Sequence, residues 1–159
     1  MVAIVAVWGF RRATPVPTWQ VARKFGPLPH VQPANSRLLA KDGNVHLYID
    51  TDAFEPDVVD ICVTIDGTPV LSDAFKYDLH NRMFHYCVRL APGKHRLLAV
   101  SERGQAQTEE IIEVTDKLYV SISYTYYAPS WYHAEVPPFF NIHSEPTPWV
   151  PDSSFVEPP

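Results

Sequence analysis

From Val45 to Tyr126 the chain alternates apolar and polar residues with a period of two, the spacing that lines opposite faces of a β-strand. Val45, Leu47 and Ile49 share one face, and His46, Tyr48 and Asp50 the other. Val59, Ile61, Val63 and Ile65 form the next inward set, with Asp60, Cys62 and Thr64 outward. Phe84, Tyr86, Val88 and Leu90 point in, while His85, Cys87 and Arg89 point out. In the following run His95, Leu97 and Ala99 alternate with Arg96, Leu98 and Val100, so the pattern leaves its facing open. Ile112 and Val114 continue, and Leu118, Val120, Ile122, Tyr124 and Tyr126 close the series. Helix-period patterns are absent.

Turn chemistry cuts these runs apart. Asp66-Gly67 predicts a type I′ hairpin, whose two central residues need positive φ. Pro92-Gly93 fits the centre of a type II turn, where proline pre-sets the first φ and glycine accepts a positive second one. After the first hairpin a short return, Thr68 to Leu71, is expected. Ser72 to Arg82 reads as a polar loop or a single helical turn. The fold class is therefore all-β: an immunoglobulin-like antiparallel β-sandwich of about seven strands. Its predicted core holds Val59, Ile61, Val63, Ile65, Phe84, Tyr86, Val88, Val120 and Ile122.

Val63-Thr64-Ile65-Asp66-Gly67-Thr68-Pro69-Val70, followed by Leu90-Ala91-Pro92-Gly93-Lys94-His95-Arg96-Leu97, resembles PEGA-type domains over about the middle third of the chain. The resemblance implies a small, non-catalytic β-sandwich module of the kind found in bacterial surface and envelope proteins. The chain departs from that pattern at Leu71-Ser72-Asp73-Ala74, where Gly-x-Thr-Pro is expected, and in the longer stretch from Ser72 to Arg82.

Proline marks out the domain limits. Of 16 prolines, only Pro56, Pro69 and Pro92 fall between residues 38 and 128, and proline is kept out of central strands by its missing N–H. Charge divides the chain nearly the same way. Residues 1–41 carry six bases and no acid, residues 42–127 carry 14 acids and seven bases, and the remainder carries four acids and no Lys or Arg. The reading is an apolar segment over 1–12, a basic Pro-rich linker over 13–41, a sandwich domain over 42–127, and a Pro- and aromatic-rich tail over 128–159. The apolar run from Met1 to Phe10 is shorter than the ~20 residues a membrane span needs. It reads as a truncated anchor or signal, an interfacial anchor, or a strand, while Arg11-Arg12 just after it argues against export. The tail holds more aromatics than a disordered segment does, so Trp131 to Phe140 is expected to lie against the sandwich.

Three constellations carry candidate chemistry. Asp50, Asp52 and Asp57 sit in and beside an acidic inter-strand loop that offers hard oxygens to a cation. His85 and Cys87, two residues apart on an outward face, could be joined by Cys62 as soft ligands for zinc or copper. A Cys–His nucleophilic pair is a further option for the same residues. If their strands were antiparallel neighbours, Cys62 and Cys87 would lie within disulfide range. The remaining histidines read as structural. Outward Tyr48, Tyr119 and Tyr127, with Trp131 and Tyr132, compose a candidate stacking platform for carbohydrate.

No phosphate-binding loop or nucleophile elbow is present, and glycine totals only six. The expected function is a non-catalytic, envelope-associated binding or structural module tethered by its N-terminus, with no cofactor. The expected partner is a protein or envelope component, with anionic lipid meeting the basic arm and no nucleic acid. The expected setting is membrane-associated or extracytoplasmic. A carbohydrate-binding module is the alternative, and a metal-binding or Cys/His-dependent protein the third reading.

Overall fold

Seven strands lie between Val45 and Tyr127, and an eighth follows in the tail. They are β1 (Val45–Asp52), β2 (Val58–Ile65), β3 (Thr68–Lys76), β4 (Met83–Val88), β5 (Gly93–Ser101), β6 (Ala106–Val114), β7 (Leu118–Tyr127) and β8 (Val136–Glu145). A two-residue strand, β9 (Phe155–Val156), closes the list. The computed structural model describes residues 24–30, 37–53, 55–77, 83–130, 133–148 and 155–156. The apolar segment, most of the basic linker, Trp131, Tyr132 and most of the last eleven residues lie outside these.

The strands form two packed sheets, one ordered β8-β7-β1-β4-β9 and the other β3-β2-β5-β6. The chain is an all-β sandwich. The core lies between the sheets, where Ile61 and Val88 are 1% and 0% exposed. The rest of the β2 set, with Val120 and Ile122, is equally buried. Phe84 and Tyr86 are half-buried against the same core. The facing of β5 that the pattern left open is decided in favour of Leu97 and Ala99, both fully buried, with Leu98 and Val100 half-covered outside.

The hairpin turn behaves as its residues dictate, whereas at Pro92-Gly93 the glycine takes a positive φ wider than the type II value of about 80° and opens β5. Asp66 and Gly67 have φ of 50° and 76°, the positive pair the hairpin requires, and Gly93 has φ of 138°. The polar stretch after the first hairpin is a correction. β3 does not end at Leu71 but runs to Lys76, pairing Val58 with Lys76. Its polar residues take the outward and edge positions of a strand that has β2 on one side only. Ladder hydrogen bonds and the buried ring of Phe75 outweigh a local composition that favours a loop.

A second correction is that the sandwich is not wholly antiparallel. β1 sits between β4 and β7, antiparallel to the first and parallel to the second. A parallel neighbour requires a crossover, and here the chain passes through the other sheet between β1 and β7. The tail strand β8 extends the sheet antiparallel to β7, burying Phe140 at 3% exposure. It also closes one side of the sandwich: the Phe140 amide donates to Thr108 Oγ1 at 3.3 Å, and that hydroxyl donates to the Phe140 carbonyl at 3.2 Å. Phe25 of the linker packs edge-on against Tyr126 with ring centroids 5.0 Å apart.

Candidate metal centre

The outer face of the β7-β1-β4 sheet is set by register. His46 lies opposite Tyr119 of β7 on one side and Cys87 of β4 on the other. One pair further along, Tyr48 lies opposite Ser121 and His85. Alternation turns all six side chains away from the core, because Val45, Leu47 and Ile49 between them point inward.

This register brings three donors together. His46 Nδ1 lies 2.9 Å from His85 Nε2, and Cys87 Sγ lies 3.5 Å from each. They are the one group of three His, Cys, Asp or Glu donors close enough to hold an ion among the described residues, all within 4.8 Å of one another and each half-buried. Tetrahedral zinc bonds of about 2.0–2.1 Å to nitrogen and 2.3 Å to sulfur place nitrogens about 3.3 Å apart, and nitrogen about 3.5 Å from sulfur. The two N–S distances match, and the nitrogens need to separate by only a few tenths of an ångström. In the metal-free chain the 2.9 Å contact is a hydrogen bond, so one of these two ring nitrogens carries the hydrogen. Ligation by both nitrogens would require that hydrogen to sit on the far nitrogen of its ring.

Aromatic rings hold the two imidazoles in place. Tyr119 stacks on His46 at 4.9 Å and Tyr48 on His85 at 4.8 Å, both with planes 16° apart. The imidazoles are parallel to each other within 3°. Such contacts restrict ring rotation and so reduce the ordering that ligation demands.

Burial pushes the Cys87 thiol up from its ordinary range. A metal must therefore displace its proton, and the thiol lacks the lowered pKa of an activated nucleophile.

The other sequence-derived candidates separate. Cys62 belongs to β2, in the opposite sheet, and faces outward there, so the sandwich core lies between it and Cys87. The two cysteines are free thiols and the disulfide expectation is corrected: their strands are not neighbours. Cys62 likewise does not join the candidate ligands, where His46 stands beside His85 and Cys87 instead. Burial raises the Cys62 thiol as well, opposed by a hydrogen bond with Ser72.

The acidic residues do not converge. Asp57 pairs with Arg103 at 3.7 Å, Asp52 accepts from the Tyr127 hydroxyl, and Asp50 lies opposite Ser123 on the outer face. Burial raises the Asp50 carboxyl above its usual range, and its Oδ1 has no hydrogen-bond partner among the described residues.

The aromatic platform is not presented as expected either. Tyr48 is only 4% exposed, its ring against His85, whereas Tyr127 is 40% exposed and bonded to Asp52. Trp131 and Tyr132 lie outside the described residues.

His46 is the candidate ligand that alternation did not single out. The period places it outward but does not say which strand lies beside it; only the β1–β4 register puts it opposite Cys87.

Comparison with known proteins finds no matching family model, no matching curated protein and no matching solved structure. No helix among the described residues is long and apolar enough to cross a membrane.

Proposed function

We propose that the chain is a non-catalytic metal-binding module, holding a thiophilic divalent ion of the zinc class at His46, His85 and Cys87. The supporting observation is the convergence of two imidazole nitrogens and one thiol at 2.9, 3.5 and 3.5 Å on one sheet face. Two nitrogens and a sulfur suit a borderline ion such as zinc or copper, and the two N–S distances of 3.5 Å lie near the tetrahedral zinc value. Three protein donors leave a fourth position for water or an outside ligand. The resemblance to PEGA-type domains supports a binding rather than catalytic role, and is compatible with tethering by the basic arm at an envelope or anionic lipid surface.

Equilibrium dialysis of the full chain against Zn(II) tests this reading. One ion per chain is expected, with binding lost in His85→Ala and in Cys87→Ser and retained in Cys62→Ser. Equal uptake by the wild type and Cys87→Ser would rule out the centre.

A further inference from the structure

β4 carries two of the three donors, yet has a full-length neighbour on one side only. Its other edge is held at both ends. At the start, Met83 and Phe84 pair with β9. At the end, Leu39 bridges Val88, the Ala40 amide donates to the Cys87 carbonyl at 3.0 Å, and the Arg89 amide donates to the Leu38 carbonyl at 2.8 Å.

The chain then reverses, with the Gly43 amide donating to the Ala40 carbonyl at 2.8 Å, and enters β1 on the opposite edge of β4. At the crossing the backbone comes so close that a Cβ on Gly43 would lie 2.4 Å from the Val88 carbonyl oxygen. Asn44 fastens the crossing through Leu90: its Oδ1 accepts the Leu90 amide at 2.9 Å, and its Nδ2 donates to the Leu90 carbonyl at 3.1 Å. Residues 38–44 thus pass around the end of β4 and grip it from both sides at Cys87 and Val88. Two residues further on, the same segment supplies His46.

We infer that residues 38–44 are a strap that positions Cys87 for the metal, so that metal binding and docking of the N-terminal arm are coupled. The inference rests on the metal reading above and concerns how that centre is regulated. The strap fixes the Cys87 peptide through its carbonyl. With the strap displaced, that end of β4 keeps β1 alone, and ligation must itself order the thiol. By linkage, an ion that favours the ordered strand favours the docked strap to the same degree. A partner that draws the arm off β4 weakens the metal by that factor. Ala40 is a positioning residue, acting through Cys87.

The test is a Co(II) titration of the full chain, read by the thiolate-to-cobalt charge-transfer band, for the wild type, Ala40→Pro and Ala40→Ser. Proline removes the donor N–H and serine keeps it. Ala40→Pro is expected to bind roughly three- to tenfold more weakly, the range set by one backbone hydrogen bond, with an unchanged spectrum. Ala40→Ser should match the wild type. Hydrogen exchange on the wild type gives a readout independent of that variant's folding: Zn(II) should slow exchange at the Ala40 and Arg89 amides. Undiminished affinity in Ala40→Pro, or exchange at both amides indifferent to Zn(II), overturns the strap while leaving the metal centre standing. A wild type that develops no charge-transfer band overturns the metal reading and the strap with it.

Discussion

Tyr124 of β7 donates its hydroxyl hydrogen to the carbonyl of Gly104, 3.0 Å away across the sandwich in the β5–β6 turn. The turn is itself organised by a carboxylate from a third strand. Asp60 accepts from the Ser101 hydroxyl and from the amides of Glu102 and Arg103, each at 2.9 Å. Ser101 Oγ in turn accepts the Gly104 amide at 2.8 Å.

Gly104 is needed there for space. A Cβ at that position would lie 2.5 Å from Ser101 Oγ, 2.6 Å from Tyr124 Cε2 and 2.8 Å from Val59 Cγ2. Gly104→Ala is therefore expected to cost about 1–3 kcal/mol, as overpacking does. Tyr124→Phe should cost about 1–3 kcal/mol by leaving the buried carbonyl unpaired. Urea unfolding of the two single variants and the double variant checks both. Because the residues touch, the costs should fall short of additive.

Asp60 shows where alternation is informative and where it stops. The period correctly turned Asp60 away from the inter-sheet core, on the side opposite Val59 and Ile61. It is nonetheless only 7% exposed, because a turn distant in sequence folds over it. The same holds at the candidate metal centre. Which face His46, His85 and Cys87 occupy was legible from local spacing, as was the hairpin at Asp66-Gly67; that Pro92-Gly93 carries the chain from one sheet to the other was not. That β1 lies between β4 and β7 was not, since strand order depends on long-range pairing that no local pattern encodes. Local spacing accordingly groups Cys62, not His46, with His85 and Cys87. β3 was cut short for the converse reason: the propensities of Ser72 to Lys76 are local, whereas the ladder that overrides them is not.

His95 bridges the β2–β3 hairpin to the link between β4 and β5. Its Nδ1 lies 2.7 Å from Asp66 Oδ2, and its Nε2 lies 2.8 Å from the Ala91 carbonyl. Both ring nitrogens thus face acceptors, an arrangement that suits the imidazolium. The hydrogen bond to Asp66 raises the His95 pKa, and the same bond lowers that of Asp66. A raised histidine stabilises below its unfolded value, about 6.5, and the effect is lost as pH rises through the folded value. A lowered carboxylate stabilises above about 3.9, and loses the effect as pH falls through its folded value. The pair therefore acts most strongly between about pH 4 and 6.5. His95→Gln should lower Tm more at pH 5.5 than at pH 8.5; an equal drop at both would mean that the charge plays no part.

Asp50 has the opposite sign. Burial raises its pKa, and the opposing hydrogen bond with Ser123 is the smaller effect. The folded chain then holds the proton more tightly than the unfolded one, so ionisation costs stability as pH rises past about 3.9. Asp50→Asn keeps the size and removes the charge. It is expected to stabilise at pH 7 and to have no effect near pH 3, where both forms are neutral. Thermal unfolding at the two pH values checks it, and a loss of stability at pH 7 would show that the carboxylate has a use on this face.

The two cysteines provide an internal control for the proposed metal centre. Both are half-buried, and burial raises both thiols, so their intrinsic reactivities toward an alkylating agent should be comparable. They differ in company: Cys87 has two imidazole nitrogens at 3.5 Å, while Cys62 faces away from the opposite sheet with Ser72 beside it. Without metal or reductant, iodoacetamide should label both, since neither is held in a disulfide. With saturating Zn(II), labelling of Cys87 should fall at least tenfold, because a coordinated thiolate surrenders its lone pair to the ion, while Cys62 should react at its former rate. Mass spectrometry of the peptides gives both rates in one sample. Equal protection of the two would point to a general tightening of the fold on zinc binding, and no protection of Cys87 would remove sulfur from the ligand set.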